Sequence, residues 1–235
     1  MESVRQSTIE PSLQQPVDRF AKALKVPTKL YELHPRLTGN AGKHAALSPA
    51  ILLGVLSAFE GFAEDFSAMA LYLNGEGFGR IAQRVGRWSN PTVRDFAKVL
   101  TTSFPDLAAA LGVDFVQLIY KRPSPFTKSG WQNKAALDWT ALLVEADAWM
   151  QVRHCLAHGQ ATGWGSEHWP ESLAKDAVSA RQVLRARDAG RHSLGLHEAL
   201  SGARIYRGGA QHIADLVAKD LGETLDWSRV FGFDV

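Results

Sequence analysis

Two long stretches of helical periodicity constrain the fold of this 235-residue chain more than any other feature. The first covers residues 48–75 and the second residues 135–159, and both place apolar side chains at spacings of three and four. Such spacing is typical of helices with one buried face. Ser-Pro opens the first stretch, Asn-Gly closes it and Gly159 closes the second. Because strand signals are nearly absent, we predict an all-α bundle of long antiparallel helices.

The remaining segments are less regular. Residues 1–46 read as an N-terminal arm with one short helix, and residues 47–235 as a single helical domain that carries the functional motif at 153–158. Residues 171–188 are charged and compatible with a helix, residues 192–207 look irregular or extended, and residues 209–221 have helical periodicity.

Composition excludes several classes of protein. With 21% charged and 46% hydrophobic residues, the chain is neither disordered nor fibrous in character. Its single cysteine, Cys155, excludes an internal disulfide framework and a Cys-rich zinc site, and suits a reducing compartment. No apolar run reaches the roughly 18 residues of a membrane span, and the N-terminus lacks a signal-peptide pattern. We therefore expect a soluble, cytoplasmic protein.

The second long helix carries a polar stripe. Asp147, Gln151, His154 and His158 are spaced four, three and four apart, so a helix places them on one face. Arg153 precedes His158 by five residues, which is about 140° around the helix axis. One ideal helix therefore cannot aim both side chains at the same atom. Either the last turn loosens after His158, or a second copy of the helix completes the site, and the mismatch favours a dimer.

Arginine and histidine together suffice to cleave RNA without a metal. The 2′-hydroxyl must lose a proton, the phosphorane gains negative charge, and the 5′-oxygen needs a proton. Histidine exchanges protons near neutral pH, and arginine offers a planar charged fork to phosphate oxygens. The alternative is structural, because cations in the last turn of a helix also interact with its dipole, by about 0.3–1 kcal/mol. Spacing alone leaves both interpretations open.

The sequence VRHCLAHG at the end of a long helix resembles the signature of the HEPN superfamily. In its ribonuclease members the motif is Arg, a polar residue, three or more further residues and His, which here are Arg153, His154 and His158. The segments AFEGFAEDFSAMAL and NPTVRDFAKVL…FPDLAAALGVD resemble the prokaryotic RiboL-PSP-HEPN-like group. The resemblance covers residues 47–160 and only loosely the remainder.

This resemblance implies an all-α, dimer-forming bundle with metal-independent endoribonuclease activity and no cofactor. It implies that Arg153 and His158 are catalytic, that His154 orients them or contacts RNA, and that the products are a 2′,3′-cyclic phosphate and a 5′-hydroxyl. Such proteins serve in toxin–antitoxin and anti-phage systems, so the expected partners are RNA, a second copy, and a cognate antitoxin or defence protein. A non-catalytic HEPN-like module that binds RNA, a nucleotide or a protein is the alternative.

Further candidates surround this motif. Acidic side chains that could support the Arg or His are Glu60, Glu64 and Asp65 on the first long helix and Asp147 on the second. For the three on the first helix, a solvated acidic face is the more common explanation. Candidate RNA contacts are two tryptophans in the following loop, which could stack bases, and two arginines of a basic stretch, namely Trp164, Trp169, Arg181 and Arg185.

A zinc site is the other chemical alternative. His154 and His158 have the i, i+4 spacing of helical zinc ligands, with a third ligand from His168 or Glu167. The glutamate of an HExxH motif is missing, because Cys155 follows His154. We therefore expect no metal.

Overall fold

A computed structural model describes residues 10–35, 44–120, 134–171 and 178–234. These ranges are mostly helical, in agreement with the predicted all-α class. Their α-helices are α1 (Gln14–Ala23), α2 (Lys25–Leu33), α3 (Leu47–Leu73), α4 (Phe78–Val85), α5 (Val93–Thr101), α6 (Leu107–Ala110), α7 (Trp139–Ala157) and α8 (Leu196–Asp220). Short 3₁₀ helices cover Ala180–Gln182 and Asp188–Gly190.

Short strands accompany the helices, although strand signals are nearly absent from the sequence. They are β1 (Gln117–Tyr120), β2 (Lys134–Leu137), β3 (Ser166–Glu167), β4 (Arg185–Ala186) and β5 (His192–Ser193). Strands β1 and β2 pair antiparallel, and β5 lies between β3 and β4, antiparallel to both. The last three strands have two residues each, too few for an alternating pattern to be visible in the sequence.

Helix α3 is the central element of the bundle. It contacts α1, α2, α4, α5, α7 and α8, and its buried side chains include Phe59, Phe62 and Phe66. By length and composition alone α3 could cross a membrane, with a mean hydropathy of 1.3 over an 18-residue window. More than half of that window is buried inside the molecule, a burial that the central helix of a core also has.

Local sequence sets where the helices begin and end. Helix α3 stops at the predicted place, with Gly75 at φ +84°, a conformation that glycine adopts without strain. Its first residue is Leu47 rather than Pro49, and Ser48 is buried and caps nothing. In α5 the cap is Thr92, whose hydroxyl accepts from the Asp95 N–H while the Asp95 carboxylate accepts from the Thr92 N–H. This reciprocal pair is a capping box.

Helix α8 begins much earlier than the sequence suggests. The region 192–207, expected to be irregular or extended, is helical from Leu196 onwards. Its glycines look like breakers, yet they mark places where other side chains approach the helix closely. A Cβ at Gly202 would lie 2.8 Å from a methyl of Leu52 and 3.0 Å from the ring of Trp149. Packing against α3 and α7 therefore outweighs the low helix propensity of glycine.

The charged segment 171–188 does not form the expected helix where it is described. Residues 172–177 lie outside the described ranges, and the rest consists of a 3₁₀ turn and strand β4. Ser179 caps that turn by accepting from the Arg181 N–H, and Arg185 lies on the strand. The two arginines therefore do not share the helix face on which the sequence argument placed them.

The two ends of the described chain are joined. The Glu223 carboxylate accepts from the Leu13 N–H at 3.1 Å, and Gln14 exchanges two hydrogen bonds with the backbone of Asp226. Trp227 is buried in the same hydrophobic core as Leu13. Helices α1 and α2 thus contribute to the single main core rather than forming a separate arm.

Candidate functional site

The polar cluster on α7 is built around an ion pair between two long helices. Arg153, in the last turns of α7, donates from Nη2 to Oε2 of Glu60 on α3 at 3.2 Å. Both side chains are 17% exposed, so this contact is largely shielded from water. Of the acidic candidates on α3, Glu60 is the one that reaches Arg153, and it fixes the direction of the guanidinium.

Glu60 lies in an unfavourable place for a carboxylate. Burial raises its pKa above the ordinary 4.5, the charge of Arg153 opposes this rise, and the charge of Glu64 adds to it. Its second oxygen, Oε1, is buried and has no hydrogen-bond partner among the described residues. Arg153 is therefore held by a carboxylate that takes up a proton more readily than an exposed one.

The two histidines lie together on the outside of the helix end. The rings of His154 and His158 have centroids 4.3 Å apart, and both residues are exposed. Helix α7 ends at Ala157, with His158 as C-cap and Gly159 at φ +67°. The Gln160 N–H donates to the Cys155 carbonyl at 2.9 Å, which makes this end a Schellman motif, with the glycine at the predicted C′ position.

The remaining acidic candidates are engaged elsewhere. Asp147 accepts two hydrogen bonds from Arg94 of α5, at 2.9 and 3.0 Å. Asp65 forms a two-bond ion pair with Arg19 of α1. These pairs join helices to one another, so they explain both carboxylates structurally. Glu64 is exposed and acts on the site through its charge on Glu60.

The loop candidates for RNA contact separate into accessible and inaccessible residues. Trp164 is 66% exposed and remains able to stack a base. Trp169 is 1% exposed and donates from Nε1 to the His192 carbonyl, so burial removes it as a stacking residue. Arg181 donates twice to the Trp169 carbonyl and once to Glu171, so its side chain stabilises this loop.

Arg185 is half-buried and lies close enough to an interior carboxylate for its charge to act on it. Its Nε is buried without a hydrogen-bond partner among the described residues, and its charge acts on Glu198. Sequence reasoning missed Glu198, although a signal was present. Glu198 stands three residues after Gly195 and accepts from its N–H, the spacing of a capping box that would have marked the start of α8.

Metal ligands are not assembled around the histidine pair. Among the described ranges, no group of three or more His, Cys, Asp or Glu side chains is arranged to hold a metal ion. Glu167, considered as a third ligand, instead accepts hydrogen bonds from the N–H groups of Thr162 and Gly163. Glu167 therefore stabilises the loop that follows α7.

Comparison of the chain with models of known protein families, with curated proteins and with solved structures gives no match. Functional assignment therefore depends on the chemistry of the Arg153 cluster and on the motif resemblance.

Proposed function

We propose that this protein is a metal-independent endoribonuclease of the HEPN type. The observation that carries the proposal is the ion pair between Arg153 and Glu60, which fixes a guanidinium on the helix end that also carries two exposed imidazoles. This end combines a fixed positive charge with imidazoles, which serve as general acids and bases in catalysis. A helix end that only stabilises the helix dipole needs a positive charge but no exposed imidazoles.

The reaction needs no nucleophile from the protein. The 2′-oxygen of RNA attacks the adjacent phosphorus and loses its proton to a base, while the bond from phosphorus to the 5′-oxygen breaks and that oxygen takes a proton from an acid. The products are a 2′,3′-cyclic phosphate and a 5′-hydroxyl. His158 serves as base or acid, and His154 supports it or contacts the RNA, since their rings are adjacent.

Arg153 stabilises the charge that develops on the phosphorane. A guanidinium remains charged at any working pH and offers two parallel N–H donors to phosphate oxygens. Glu60 engages one of its terminal nitrogens, so the fork is held before RNA arrives. Preorganised charge of this kind lowers the barrier because the protein need not reorient at the moment of reaction.

Completion of the site by a second copy fits the geometry of α7. The helix is regular up to Ala157, so the last turn is not loosened enough to remove the angular offset between Arg153 and His158. Among the described residues, Arg153 makes its polar side-chain contact with Glu60 rather than with either histidine. We therefore propose a homodimer in which Arg153 of one copy acts with His158 of the other.

The biological setting follows from the resemblance alone. We propose single-stranded or loop RNA as substrate and the cytoplasm as location. The setting is a toxin–antitoxin or anti-phage system, with an antitoxin or defence protein as regulatory partner.

The central experiment is cleavage of a labelled RNA in excess EDTA. We expect wild type to cut, and Arg153→Ala and His158→Ala to lose about 100-fold or more of the rate. Arg84→Ala is the matched control, because Arg84 also forms a half-buried ion pair, with Glu76, away from α7. Cleavage that survives Arg153→Ala, or that EDTA abolishes, contradicts the proposal.

Mixing two inactive variants tests the shared site. If Arg153 and His158 act across a dimer, heterodimers of Arg153→Ala with His158→Ala contain one intact site. An equimolar mixture should then regain about one quarter of wild-type activity. No recovery, with exchange of subunits verified by light scattering of tagged copies, contradicts the shared site while leaving cleavage itself intact.

The cleavage assay, together with a measurement of RNA binding, also tests the alternative that the chain is a non-catalytic binding module. If wild type binds RNA without cutting it, and His158→Ala binds RNA equally well, the chain is a binding domain.

A further inference from the structure

A cavity lies between α7, strands β1 and β2 and the start of α8. Its volume is about 270 Å³ and it is about half enclosed. Apolar side chains form most of its wall, among them Ile119, Leu137 and Val183. A dry apolar cavity of about 150 Å³ accommodates benzene, so this one has room for a two-ring molecule.

Two polar groups in this wall have no hydrogen-bond partner among the described residues. They are Nε1 of Trp149, a donor, and Oε1 of Glu198, an acceptor when ionised. Both side chains are at least nine-tenths buried. Leaving a buried donor or acceptor unpaired costs about 1–3 kcal/mol, so two such groups in one apolar cavity need a reason.

The orientation of Glu198 is fixed by its place in α8. One oxygen, Oε2, accepts from the Gly195 N–H at 3.1 Å, so Oε1 is the oxygen that a ligand can engage. Burial raises the pKa of Glu198, and the charges of Arg185 and Arg187 act in the opposite direction. The wall also includes Glu145 and His197, and a charged ligand would have to leave water for a mostly apolar cavity, which favours an uncharged ligand.

We propose that this cavity binds a small, uncharged, planar nitrogen heterocycle that carries both an N–H donor and a hydrogen-bond acceptor. Glu198 takes the donor and Trp149 gives its N–H to the acceptor, while the ring lies against the apolar wall, which includes the flat ring of Tyr120. A purely apolar ligand would leave both polar groups unpaired. This inference is independent of the proposed ribonuclease activity and concerns a different face of α7.

Calorimetric titration of the full chain with two matched probes tests the proposal. The adenine probe is 9-methyladenine, whose exocyclic amino group is its sole N–H donor, and the purine probe is 9-methylpurine, which has ring acceptors but no N–H donor. We expect wild type to bind the adenine probe about tenfold more tightly than the purine probe, the effect of one hydrogen bond to a carboxylate. A short oligoadenylate in the same assay distinguishes a free heterocycle from a base within RNA.

Three variants sharpen the test. In Glu198→Gln the Gly195 N–H retains the amide oxygen, so the NH₂ group faces the cavity and the preference for adenine should disappear or reverse. Trp149→Phe should weaken both probes by severalfold. Ala135→Phe fills the cavity from β2 and leaves the sequence of the core helices unchanged; it should abolish binding of both probes, which keeps the test valid if a core variant fails to fold.

Glu76→Gln is the control, because Glu76 is an equally enclosed carboxylate outside the cavity. It should bind both probes as wild type does. The proposal is overturned if wild type binds neither probe at millimolar concentration, if Glu198→Gln keeps the adenine preference, or if only the oligomer binds.

Discussion

The ion pair between Glu60 and Arg153 should couple the stability of the fold to the chemistry of the site. The perturbation is a double-mutant cycle of Glu60→Gln and Arg153→Met, measured by urea unfolding at pH 7. Exposed pairs contribute about 0–1 kcal/mol, and removing one partner of a fully buried pair costs about 3–5 kcal/mol. With both side chains 17% exposed, we expect a coupling of about 1–2 kcal/mol.

Lys29 and Glu32 provide the matched control pair, because their side chains are 76% and 48% exposed. Their coupling in the same assay should stay below about 0.5 kcal/mol. Equal couplings for the two pairs would refute the argument from burial.

The pH dependence of this pair has a definite sign. Since the folded-state pKa of Glu60 is raised, its contribution to stability is fully present below about 4.5 and is lost as the pH rises through the folded pKa. Glu60→Gln should remove this pH dependence of the free energy of unfolding.

Protonation of Glu60 also releases Arg153, so RNA cleavage by wild type should slow at acidic pH. The pH–rate profile of Glu60→Gln should lack this decrease at acidic pH. Identical pH–rate profiles would contradict the positioning role of Glu60.

Three further outcomes follow from burial and local geometry. Gly61→Ala, where a Cβ meets nothing within 4 Å, should raise Tm by about 2–4 °C. Gly202→Ala, whose Cβ collides with Leu52, should lower Tm and reduce the free energy of unfolding by about 1–3 kcal/mol; equal melting curves would contradict the packing argument. Thr92→Ala should cost about 1 kcal/mol in urea unfolding, and no loss would exclude the capping box. In wild type, burial of Glu198 should make stability fall as pH rises above about 4.5, and Glu198→Gln should flatten that slope at matched pH values.

The sequence predicted those parts of the fold that depend on local signals. Periodicity and terminal residues were sufficient for α3, for its end at Gly75, and for the end of α7 at Gly159. These signals act within a few residues, so no knowledge of the tertiary structure was needed. The placement of Arg153 and the two histidines on one helix end followed from the same reasoning.

The partners across the fold were beyond such reasoning. Glu60, Glu64 and Asp65 are equivalent in sequence, and only the packing of α3 against α7 and α1 decides that Glu60 meets Arg153 while Asp65 meets Arg19. For the same reason a glycine-bearing segment became the long helix α8, since close approach by other helices compensates for its low propensity. The basic stretch predicts Arg185 as an RNA contact, because the sequence does not reveal that the buried Glu198 lies near it in the fold.

The hydrogen bonds that join α1 to residues 223–226 have a consequence for synthesis of the protein. Leu13 and Gln14 leave the ribosome some 210 positions before the residues that satisfy them. At about 5–20 residues per second, the N-terminal helices wait roughly 10–40 s for these partners. During that interval their apolar faces are open to chaperones. The native core therefore closes only after residues 223–226 have emerged, and a chain truncated before residue 223 should be synthesised without completing its fold.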